Sequence, residues 1–75
     1  MQNIKYALKR YVEDRIPTGG FLRAVLENDL LNAITRADDE NVKRIREIVQ
    51  YIYWELPSNC WGTPQRVFAW LERKE

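Results

Sequence analysis

Residues 38–57, DDENVKRIREIVQYIYWELP, decide the fold. Val42, Ile45, Val49, Ile52 and Leu56 recur at intervals of three and four, and Ile48 widens the stripe, which is the period of an α-helix packed on one side. Asp38, Asp39 and Glu40 stand at the start, where the positive end of the helix dipole favours acids. Pro57 lacks the backbone donor that would continue the helix. Glu40 with Arg44, and Lys43 with Glu47, are spaced as supporting i,i+4 pairs, worth about 0.2–0.5 kcal/mol each. The pattern predicts one long helix over 39–56.

Toward the N-terminus, Ile4, Ala7, Leu8, Tyr11 and Val12 share one side of a helix predicted over 3–14, with Lys5, Lys9 and Glu13 opposite. It should stop near Asp14, because Arg15 returns to the apolar side and Ile16 precedes a proline, which disfavours α geometry. Ile16-Pro17-Thr18-Gly19-Gly20 reads as a turn. Beyond it, Phe21, Leu22, Val25 and Leu26 point one way, and Leu30, Ala33, Ile34 and Ala37 point about 120° away. A break at Asn28-Asp29 reconciles them, with Asp29 capping the second piece, giving helices over 20–27 and 30–37.

Toward the C-terminus, residues 58–62 form a loop, and Thr63-Pro64 reads as a cap followed by proline in the first helical turn. The last helix, 64–73, should carry Val67, Phe68 and Leu71 inward and fray at Arg73-Lys74-Glu75. No strand-like alternation occurs. The expected fold is all-α, a small bundle of four to five short helices without a sheet, in a single domain over residues 1–75.

Composition narrows the chemistry. Twelve Lys and Arg against eleven Asp and Glu leave a net charge of +1, which argues against a nucleic-acid coat or a polybasic membrane anchor. Cys60 is the single cysteine and histidine is absent, so Ser-His-Asp and Cys-His catalysis and the usual zinc sites are excluded. One cysteine cannot make an internal disulfide, and the chain reads as a protein of a reducing compartment. No run approaches the roughly 20 apolar residues of a membrane span, and none reads as a signal peptide. Neither an enzyme nor a cofactor is expected.

Three Trp, four Tyr and two Phe exceed what a thin core needs. Trp54 lies almost opposite the apolar stripe of its helix and Tyr51 lies beside it. Tyr6 points away from the first helix's stripe, Trp70 sits at the edge of the last one, and Trp61 belongs to a loop. Two readings stand. Another helix covers the Trp54 side, or these rings meet a partner, either a second copy or a different protein, since Tyr and Trp concentrate at interface centres.

Other candidates are weaker. Thr18, Gly19 and Gly20 lead into a helix carrying Arg23, with Arg15 within reach, a combination that suits an anion such as a nucleotide phosphate. The spacing of a phosphate-binding P-loop is missing, and a plain interhelical turn explains the same residues. Asp38, Asp39 and Glu40 are accounted for by capping and dipole compensation, so no metal is expected. Lys43, Arg44 and Arg46 diverge around their helix among interleaved acids, which disfavours a DNA-reading helix. Cys60 reads as a small packing residue.

The string Ile16-Pro17-x-Gly19-Gly20-Phe21-Leu22-x-Ala24-Val25-Leu26-x-Asn28-Asp29-Leu30, then Arg36-Ala37-Asp38 and Asn41, resembles a family of very small proteins from bacteriophages and other mobile elements. Tyr51-x-Tyr53, Leu56-Pro57-Ser58-x-Cys60-Trp61-Gly62-Thr63-Pro64 and Trp70-Leu71 fit the same pattern. The likeness runs from about Ile16 to Leu71 and is most specific at Cys60–Pro64. The family has no catalytic residues to carry over, but it implies a setting: the cytoplasm of a bacterial host. The expected function is then a non-enzymatic accessory protein that binds a host or defence-system protein through Tyr51, Trp54 and Trp61, with Tyr6 and Trp70 as outliers, and that self-associates. The alternative is an oligomer that captures a nucleotide-like anionic signal through Arg15, Thr18, Gly19, Gly20 and Arg23.

Overall fold

In the computed structural model, which describes residues 4–72, the chain forms helices α1 (Ile4–Asp14), α2 (Gly20–Leu26), α3 (Leu30–Arg36), α4 (Asp39–Lys43), α5 (Ile45–Glu55) and α6 (Pro64–Glu72), with a 3-10 turn at Ser58–Cys60 between the last two. The described residues contain no strand. Asn3 and the expected fraying at Arg73-Lys74-Glu75 lie outside them.

Local chemistry sets most boundaries. α1 ends where Arg15 takes a left-handed backbone (φ 59°). α2 ends in a Schellman motif: Asn28 is left-handed (φ 62°), its amide donates to Val25 O at 3.0 Å, and the Asp29 amide donates to Ala24 O at 2.8 Å. Asp29 then caps α3 by accepting from the Asn32 amide (3.3 Å), as Asp38 caps α4 from Asn41 (2.8 Å) and Thr63 caps α6 from Arg66 (3.1 Å).

The helix expected as one piece over 39–56 divides at Arg44, so the described helices number six instead of four to five. The Arg44 amide is shared between Glu40 O (3.2 Å) and Asn41 O (3.1 Å), a local tightening at which Arg44 falls outside both helices and the i→i+4 ladder is interrupted. Arg44 pairs with Glu47 at 3.5 Å, in place of the expected Glu40–Arg44 and Lys43–Glu47 pairs. The buried side of α5 centres on Ile48 and Ile52, while Val42 and Val49, expected inward, are exposed.

The core joins Ile4, Leu8 and Tyr11 of α1 to Phe21, Leu22, Ala24 and Leu26 of α2, with Ala33, Ile48, Ile52, Leu56, Cys60 and Val67 closing it. Phe68, expected inward, is 60% exposed; Val67 with the half-buried Trp70 and Leu71 takes the inner side of α6 instead. Leu30 and Ile34 are likewise exposed, leaving Ala33 as the α3 residue in the core.

Candidate functional site

The five expected contact residues fall into three environments. Trp70 belongs to the structure's closed end. Its indole Nε1 donates to Tyr11 O at 3.0 Å, and the Arg15 guanidinium lies 3.6 Å from its ring centre, a cation–π stack. The Tyr11 hydroxyl donates to Cys60 O at 2.8 Å, and the Cys60 thiol donates to Pro57 O. Burial pushes the Cys60 thiol up to about 11 and the Tyr11 phenol well above its ordinary 10.0, because both charged forms lose water. Cys60 is therefore a packed thiol and not a nucleophile at neutral pH.

Residues 60–63 are held from several sides. Gly62 has φ 114°, a left-handed backbone that suits glycine, and its amide donates to Leu26 O at 2.7 Å. Arg66 donates to Ser58 O and Trp61 O at 3.2 and 3.3 Å. Trp61 is half-buried, and its indole nitrogen reaches Leu56 O at 3.4 Å.

The outer rings are arranged differently. Trp54 is 75% exposed and meets Tyr53 edge-to-face with centroids 5.0 Å apart; Tyr53, itself exposed, lies 5.9 Å from Trp61. Trp54, Tyr53 and the rim of Trp61 thus form one aromatic group at the C-terminal end of α5. Tyr53 was not among the expected contact residues, because it lies one turn beyond Val49, which the sequence pattern places inward and the structure exposes. Tyr51 is half-buried beside α1, with Lys5 Nζ 5.4 Å from its ring centre. Tyr6 is exposed and accepts a hydrogen bond from Arg10 at 2.9 Å. The structure therefore brings Trp54 and Trp61 together and leaves Tyr51, Tyr6 and Trp70 apart from them.

The glycine turn assembles otherwise than the sequence suggests. Arg15 is stacked on Trp70, and Arg23 pairs with Glu27 at 2.9 Å. Thr18 donates to Gly19 O at 3.2 Å. Arg36 takes the place expected for Arg15: its side chain crosses Gly20 so closely that a Cβ there would lie 3.1 Å from a guanidinium nitrogen. Arg36 and Gly20 separate two shallow depressions, one of about 210 Å³ that includes Arg23, Glu27, Asp29 and Asn32, and one of about 260 Å³ that includes Gly19, Asp38 and Asn41. Among the described residues no group of three or more His, Cys, Asp or Glu could hold a metal ion, and no helix is long and apolar enough to cross a membrane.

No family model, curated protein or solved structure matches the chain, so the resemblance in its sequence gains no support from these comparisons.

Proposed function

We propose that the chain is a non-enzymatic accessory protein of phage type that binds a host or defence-system protein through its aromatic end and also self-associates. The supporting observation is Trp54, three-quarters exposed on a helix whose opposite side lies in the core, with Tyr53 packed against its edge. Exposed Trp and Tyr side by side offer large, stiff contact area with a polar handle, the composition of interface centres. The test is Trp54→Ala in a tagged chain expressed in a bacterial host. One defined protein should co-purify with the wild type and be lost from the variant, with helicity by circular dichroism unchanged. Equal recovery with both chains, or loss of helicity, would reject the reading.

A second reading, capture of a nucleotide-like anion, is favoured by Arg36 lying across Gly20 between two depressions. Its acids count against it, since Glu27, Asp29 and Asp38 share those walls. Calorimetry with cyclic and linear nucleotides decides: no heat from any of them ends it.

A further inference from the structure

The aromatic end is not the whole of the uncovered surface. Along α5, Ile45, Val49 and Tyr53 stand one above another at intervals of four, and Val42 continues the line onto α4. Ile45 and Val49 also line a groove with Val25, Leu30 and Ala33, so this stripe meets the side of α3 that carries Leu30. Ile34 lies one turn beyond Leu30. Val42, Val49, Tyr53, Leu30 and Ile34 are between 41% and 65% exposed. The radius of gyration, 11.4 Å, is that of a compact chain of this length, about 11.3 Å, so these side chains are not bared by an expanded fold.

We infer that a second copy of this chain covers the α3–α5 groove, in a two-fold dimer whose centre is Val49 and Leu30. This rests on the self-association half of the proposed function and assigns it to the α3–α5 groove, which adjoins the aromatic end at Tyr53 and does not include Trp54. Area supports the choice. At those exposures the five residues leave roughly 500 Å² of accessible surface, most of it apolar, which approaches the apolar share of one side of a standard interface, about 800 Å² per partner and about 60% apolar. Geometry supports it too. The α5 part of the stripe, Ile45 to Tyr53, runs about 12 Å and can meet its own copy antiparallel across a two-fold axis. Charge is sparse there: Asp29 is the ionised side chain in the groove's lining, and the chain's net charge is +1.

The experiment is solution mass by light scattering from micromolar to millimolar concentration. The wild type should reach twice 9.0 kDa. Val49→Glu, on an exposed helical position where glutamate is well tolerated, should stay at 9.0 kDa with unchanged helicity, and Tyr53→Lys should weaken association at least tenfold. Trp54→Ala should keep the doubled mass. A wild type fixed at 9.0 kDa, a Val49→Glu chain that still doubles, or loss of the dimer in Trp54→Ala alone would each overturn the assignment. A dimer with these properties but no partner lost in Trp54→Ala would leave it standing while rejecting the host-protein reading.

Discussion

Trp70 and Trp54 sit on neighbouring parts of the chain and differ in almost everything that matters to their roles. Trp70 finds a main-chain acceptor on α1, a guanidinium on its ring and core side chains behind it. Trp54 finds the edge of Tyr53 and water. The same division runs through the molecule. On one side, α1, α6 and the 3-10 turn tie Tyr11, Cys60, Trp61 and Gly62 to main-chain carbonyls, two of them, for Tyr11 and Gly62, on distant segments. On the other, α3, α4 and the outer half of α5 leave Leu30, Val42 and Val49 uncovered. Trp70 and Tyr11 are structural here because their polar atoms meet main-chain carbonyls, and Trp54 has no such bond and stays available for contact.

The contrast is broken most severely in the core. A 75-residue domain has about 4–11 kcal/mol of stability in total. Leu8→Ala, at a fully buried position, should remove about 2–5 kcal/mol of it, whereas Val49→Ala should change stability by no more than about 0.5 kcal/mol; urea melts of the two compare the sides directly. Tyr11→Phe leaves the buried Cys60 carbonyl without its donor and should cost about 1–3 kcal/mol by the same melts.

Alkali sharpens the comparison further. Cys60 is neutral in the folded chain up to about 11 but ionises near 9.0 once unfolded, so its contribution is complete below pH 9.0 and lost as pH rises to about 11. Tyr11 adds a loss in the same direction above its ordinary value of 10.0. Stability followed by circular dichroism should be flat in this respect below pH 9.0 and fall above it, and Cys60→Ala should move the onset upward.

Much of the fold was legible because it is written locally. The stop at Asp14, the break at Asn28-Asp29 and the Thr63-Pro64 start each follow from a few adjacent residues whose side chains or backbone preferences act on the next turn. What failed to show were consequences of distant packing. Val42 and Val49 are outward because the core settles on the Ile48–Ile52 side of α5, and that choice is made by neighbours distant in sequence. In the sequence Trp70 is an edge residue of the last helix and Arg15 a candidate for the anion-binding turn; they become partners because α6 lies against the end of α1. Trp54 was legible as an outward residue from angular position alone, and its covering by another helix, left open by the sequence, does not occur among the described residues.

The three tryptophans also give the molecule its own optical labels. Trp54 emits from water, while Trp70 and Trp61 emit from sites hydrogen-bonded to main-chain carbonyls, with a guanidinium stacked on the former. A soluble quencher such as iodide should extinguish the reddest emission first, and a ligand that seats on the aromatic end should shift that component to the blue. One cuvette thus tells occupancy of the outer ring apart from unfolding, with no dye attached.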